Sequence, residues 1–117
     1  MSGPAKQRQW ITRSLAGPAI WTAHFFVLYG GHTLLCAIAP AASRSAAWML
    51  LAGSASIGGL VLIGLLVVQE LRPVRQPKRE ANGHAFARAV LLGLASLSAV
   101  GLVWTMMAAA ALAPCAP

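Results

Sequence analysis

Acidic side chains are the scarcest feature of this chain. It has no aspartate and two glutamates, Glu70 and Glu80, and both lie at or in a basic connection, so no buried carboxylate pair is at hand for acid–base catalysis. Also missing are a glycine loop followed by lysine for phosphate, a zinc signature and a nucleophile elbow. These absences predict a protein that is not an enzyme. Charge of either sign is sparse, at 9% of residues against 58% hydrophobic, which does not describe a soluble domain. Three runs hold no Asp, Glu, Lys or Arg at all: Ser14 to Ser43, Ser45 to Gln69 and Ala89 to Pro117. Each exceeds the ~20 residues that span a bilayer. A soluble core helix would carry Lys and Glu on its outer face every three or four residues, and none of these runs does.

What charge there is sits in particular places. The net charge of +7 would suit nucleic acid, but the basic residues have no interleaved aromatics and no fold to present them, so no nucleic-acid partner is expected. Lys6, Arg8 and Arg13 precede the first run, and Arg72, Arg75, Lys78, Arg79 and Arg88 lie between the second run and the body of the third. Only Arg44 lies in the first connection. The positive-inside rule then places the N-terminus and second connection in the cytoplasm, with the first connection and C-terminus outside. Three spans require the same alternation. A cleaved signal peptide ending at Ala37-Ile38-Ala39 is the rival for the first run, but the apolar stretch exceeds the usual ~7–15 residues and Pro40 would directly follow the cut.

The fold class expected is therefore all-α and integral to a membrane: three transmembrane helices in an antiparallel, up-down-up bundle within the lipid bilayer. Residues 1–13 form a cytoplasmic basic arm, with Trp10 and Ile11 at headgroup level. Helix 1 covers 14–39, capped by Ser14 or Gly17 with Pro18 in its first turn, and stops before Pro40. A periplasmic loop, 40–45, leads to helix 2 over 46–71, with Trp48 near the outer interface. A cytoplasmic loop, 72–82, precedes helix 3 over 83–113, for which Asn82 is the cap, and 114–117 is a periplasmic tail. Ser54 with Gly58, or Ala55 with Gly59, offers the small-residue spacing that lets helix backbones approach. On helix 3, Ala89, Gly93, Leu97, Gly101, Thr105 and Ala109 recur every four residues as a second such stripe. Glu70 and Arg88 lie at the same boundary and are expected to pair.

The polar residues inside the runs are the candidates for function. At ~100° per residue, His24 and His32 lie ~80° apart on helix 1, and His32 and Cys36 ~40° apart. His24 has a plain role as a hydrogen-bond partner for Ser54, Ser56, Ser96, Ser98 or another subunit. A proton relay would need more titratable partners than Tyr29, Glu70 and the other histidines provide. Two histidines on one helix do not hold opposite faces of one haem, and His84 is too shallow to serve as the second ligand. At the outer end the topology brings Cys36 and Cys115 together, and a disulfide is permitted on that side of a bacterial membrane. The same atoms offer a second reading. His32, Cys36 and Cys115 with Met106 or Met107 form a thiolate, thioether and imidazole set that favours Cu(I), so copper is the one cofactor the residues suggest. A cysteine in a disulfide is not a ligand, and the sequence leaves the two readings open.

Gly17-Pro18-Ala19-x-Trp21-x-x-His24-Phe25-x-x-x-Tyr29, then Cys36, with Val103-Trp104 and Pro114-Cys115 in the last segment, resemble a group of small three-span bacterial membrane proteins found beside haem-copper cytochrome c oxidase operons of the caa3 type. The resemblance covers about a third of the chain, and the connection PAASRS is less apolar than the group's. It implies a bacterial inner-membrane protein that accompanies a respiratory oxidase as accessory subunit or assembly helper. It implies no catalytic residue. Under this reading Trp21, His24, Phe25 and Tyr29 make helix or partner contacts, and the partners are oxidase subunits. A small oligomeric transporter, with His24 and Tyr29 lining a path, is the remaining alternative.

Overall fold

The computed structural model describes residues 3–73, 81–112 and 114–115, with the side chains of Ala81 and Asn82 left out. Among these residues the chain is helical, in three elements: α1 (Pro4–Ile38), α2 (Ala41–Leu71) and α3 (Ala81–Ala111). They lie side by side, each against both others, in a rod of 62 × 23 × 17 Å. α2 and α3 are long and apolar enough to cross a membrane, with mean hydropathies of 2.3 and 1.9 over their most apolar stretches. α1 falls short of that mark because Pro18, Trp21, Thr22, His24, Tyr29, His32 and Thr33 interrupt its apolar residues.

The helices are longer at their starts than the sequence suggests. α1 begins at Pro4, so the expected basic arm is helical. Proline at the first position gives up no helical hydrogen bond, the Gly3 carbonyl accepts from the amides of Lys6 and Gln7 (3.0 and 3.3 Å), and Lys6, Gln7, Arg8 and Gln9 are good helix formers. Ser14 and Gly17, expected as caps, are buried inside the helix. Pro18 is tolerated there at the loss of one donor, and Thr22 Oγ1 donates to its carbonyl at 2.8 Å.

α1 ends where Pro40 forces Ala39 out of helical geometry (ψ 138°). The expected loop 40–45 shrinks to Ala39 and Pro40, since Ala41 already starts α2. Arg44 lies in the first turn of α2 rather than in a loop. Its Nε and Nη2 donate to the Ala39 carbonyl at 3.2 and 2.8 Å, placing a cation where α1 leaves its last carbonyls unsatisfied. α2 stops at Leu71, before Pro73. Most of the basic connection, 74–80, lies outside the described residues, and Asn82, expected as the cap of the third helix, is instead its second residue. α3 begins at Ala81 and ends at Ala111, each two residues earlier than its expected bound.

Small residues set how closely the helices approach. A Cβ on Gly17 would stand 3.2 Å from Ser98 Oγ, 3.4 Å from the Ala95 Cα and 3.5 Å from the Leu94 carbonyl, so α1 and α3 nearly touch backbone to backbone. Gly59 of α2 instead makes room for the Leu102 side chain, whose methyl carbons would stand 3.2 Å from a Cβ there, and this makes Ala55 and Gly59 the inward pair while Ser54 and Gly58 are exposed. The four-residue stripe on α3 is not the packing seam. Steps of four advance ~40° beyond each full turn, so over five steps the stripe winds around the helix, and Ala89, Gly93 and Leu97 are exposed. The buried residues are instead Leu91, Ala95, Ser98, Leu102 and Ala109, at steps of four, three, four and seven.

Two apolar clusters result. Ile63, Ala95 and Leu102 pack near one end with Ile20, Val67 and Ala99. Leu28, Trp48, Ala52 and Ala109 pack toward the other with Leu35, Leu51 and Ala55. Trp48, expected at an interface, is a core residue, because α2 turns it in line with Ala52, Ser56, Gly59 and Ile63.

Candidate functional site

The end of the bundle where α1 stops carries the densest chemistry. Pro114 and Cys115 form a turn after α3, and Cys115 takes φ 60°, a left-handed conformation that costs a non-glycine residue ~1 kcal/mol or more. That turn brings Cys115 back to α1, where it forms a disulfide with Cys36 across a Cα–Cα distance of 5.5 Å. One turn before Cys36, the His32 ring stands 3.9 Å from the Cys36 sulfur at Nδ1 and 4.0 Å at Nε2. The two sulfurs and one imidazole nitrogen all lie within 4.8 Å of one another and are partly buried.

Trp48 fixes the His32 ring. It is 4% exposed, its Nε1–H donates to the Ala109 carbonyl at 3.1 Å, and the His32 and Trp48 ring centres are 5.0 Å apart at 80°, the edge-to-face arrangement favoured by aromatic quadrupoles. Since Trp48 is bonded to α3 and packed in the core, one indole joins the histidine of α1 to all three helices. Met106, the fourth member of the expected copper set, is 42% exposed on α3.

Midway along the bundle His24 is 4% exposed and its Nε2 meets Ser56 Oγ at 3.0 Å. Of the serines expected as partners, Ser56 is therefore the one α2 presents. Ser96 and Ser98 bond instead to carbonyls of their own helix, Leu92 and Leu94, each at 2.8 Å, and Ser54 to Leu51 at 3.2 Å. Among the described residues, His24 Nδ1 and Ser14 Oγ are buried side-chain atoms without a hydrogen-bond partner.

Trp21, Phe25 and Tyr29 are exposed where His24 is buried, so the four residues grouped in the sequence divide. Their rings climb α1 at four-residue spacing, with centres 6.5 Å apart for Trp21 and Phe25 and 6.4 Å for Phe25 and Tyr29, the latter pair stacked at 11°. Trp21 leans over Gly101 of α3, where a Cβ would meet its Nε1 at 2.7 Å. Tyr29 is 69% exposed. His24 and Tyr29 thus do not line one path within a single chain.

At the opposite end Glu70 pairs with Arg13, Nη1 to Oε1 at 3.2 Å, and not with Arg88 as expected. The helical extension of α1 past residue 14 explains this, because it carries Arg13 alongside the last turn of α2. Arg88 lines the same hollow of about 250 Å³, with Lys6, Trp10, Arg13 and His84. Arg13 and Trp48 are the two positions whose roles the sequence does not reveal. Trp48 had one usable signal, its place in the four-four-three-four series of buried α2 positions.

Comparison of the chain with protein-family models, curated proteins and solved structures gives no match.

Proposed function

We propose that this protein is an integral bacterial inner-membrane protein whose three helices all span, with its N-terminus in the cytoplasm and Cys36 and Cys115 on the periplasmic side, acting as a non-catalytic accessory or assembly subunit of a haem-copper cytochrome c oxidase. Support for the membrane comes from the surface. Leu50, Ile57, Leu97, Val100 and Trp104 are all more than 60% exposed, an apolar surface far beyond what soluble monomers leave to water. The end that gathers Lys6, Arg8, Arg13, Arg72 and Arg88 is the basic one, while the disulfide end has Arg44, and that asymmetry supports the orientation.

The observation that carries the partner reading is the aromatic ladder Trp21, Phe25 and Tyr29. These are residues through which the chain resembles the oxidase-associated group, and on α1 Phe25 and Tyr29 stand 48% and 69% exposed. A tagged chain solubilised in mild detergent should therefore carry oxidase subunits through purification. The double substitution Phe25→Ala, Tyr29→Ala should reduce their recovery about tenfold, the equivalent of ~1.4 kcal/mol, without altering the helical content of the chain itself. Purification of the wild-type chain with no oxidase subunit would count against the partner. The trio His32, Cys36 and Cys115 favours a second reading, copper handling, which the disulfide opposes as long as it is closed.

A further inference from the structure

We infer that the disulfide and the metal site are two states of one device: reduction of Cys36–Cys115 opens a three-coordinate site, two thiolates and the His32 imidazole, that binds one Cu(I). The geometry is nearly in place. A trigonal ion with bonds of ~2.0 Å to nitrogen and ~2.3 Å to sulfur sets those two atoms ~3.7 Å apart, and the His32 nitrogens already stand 3.9 and 4.0 Å from the Cys36 sulfur. The spacing of four residues on one helix holds both donors on the same face. Two sulfurs on such an ion are ~4 Å apart, so the Cys115 sulfur must withdraw by ~2 Å. It sits in the turn beyond α3, outside any helix.

The histidine has to turn only its ring: its two nitrogens are almost equidistant from the Cys36 sulfur, so one must swing to aim its lone pair at the ion, beside a Trp48 that is itself bonded to Ala109. Support of this kind behind a ligand is what fixes a metal site's geometry. Soft thiolates with one imidazole select Cu(I) over hard cations. Among the described residues no carboxylate joins the cluster, which leaves three donors, fewer than the four of a closed zinc site.

The chemistry balances in two steps. A dithiol supplies two electrons and two protons, the Sγ–Sγ bond breaks to give two thiols, and the dithiol becomes a disulfide. As Cu(I) binds, both thiols release their protons to solvent and no electron moves. The inference leans on the membrane reading only for which compartment supplies the dithiol and the copper. It does not involve the oxidase, so a failed co-purification leaves it standing and a failed metal assay leaves the partner reading standing.

The test uses the full chain in detergent micelles, one half oxidised and the other reduced with a dithiol and desalted without oxygen. Cu(I) is presented as its coloured bicinchoninate complex, and loss of colour counts the copper transferred. The reduced chain should take one Cu(I) and the oxidised chain none, with an X-ray absorption spectrum fitted by two sulfurs and one nitrogen. Loss of an outer-sphere partner costs a metal site up to ~100-fold in affinity, so His32→Ala, losing a ligand, should weaken binding by at least that factor. His84→Ala should leave it unchanged. Equal uptake by the oxidised chain, an undiminished His32→Ala, or preference for Zn(II) would overturn the proposal. So would loss of helicity on reduction, since the site requires the bundle to stand without the bond.

Discussion

Trp48→Ala should lower the stability of the bundle by roughly 3 kcal/mol, the low end of the range for deleting a buried tryptophan. The low end applies in the proposed membrane setting, where the displaced apolar surface moves into lipid rather than water and the void and the lost contacts make up most of the cost. Trp48 fills the cluster toward the disulfide end with Leu28, Ala52 and Ala109, donates to the Ala109 carbonyl and stands against His32. Trp48→Phe separates these contributions. It keeps a ring beside His32 and loses the donor, at a cost of ~1 kcal/mol. Titration with a denaturing detergent, followed by circular dichroism, measures both, and equal losses for the two substitutions would show that the hydrogen bond rather than the packing is what matters.

Breaking the disulfide should have an effect of similar size through the unfolded state. Cys36 and Cys115 are separated by 79 positions, for which the loop-entropy relation gives ~4.5 kcal/mol. That figure assumes a flexible chain. In the proposed membrane setting the helices persist after they separate, so the entropy released is smaller and ~2 kcal/mol is expected. Cys36→Ser, Cys115→Ser and the double substitution should be equally destabilised, and a reducing agent should lower the wild type to the same level. Additive losses from the two single substitutions would mean that the cysteines act separately.

Much of this arrangement can be read from the sequence, for identifiable reasons. Three charge-free runs separated by Arg44 and by the basic connection mark out three helices, and antiparallel alternation puts the ends of the first and third together, which is why Cys36 and Cys115 could be placed side by side in advance, though not whether they bond to each other or to a metal. His24 could be matched to a small set of serines because two buried polar groups at mid-depth need each other, although only the rotation of α2 selects Ser56. Features that depend on rotation are the ones the sequence hides. Trp48 reads equally well as an interface residue until its helical phase is known. The Ala89–Ala109 stripe looks continuous in one dimension and winds away from the seam in three. The start of α1 was hidden for another reason: Ser14 and Gly17 are good caps but also good seam residues, and the fold buries Ser14 and sets Gly17 against Ala95 and Ser98. Once the helix runs back to Pro4, Arg13 reaches Glu70 and Arg88 no longer has that partner.

The central claim is that α1 crosses the membrane together with α2 and α3, although its polar residues leave it the least apolar of the three. Single cysteines at the exposed positions Ala5 and Ala42, introduced as Ala5→Cys and Ala42→Cys in a chain carrying Cys36→Ser and Cys115→Ser, test this with a membrane-impermeant maleimide on spheroplasts. The account predicts that Ala42→Cys is labelled on intact spheroplasts and Ala5→Cys only after lysis. Labelling of both from the same side would contradict it, because α1 would then not span.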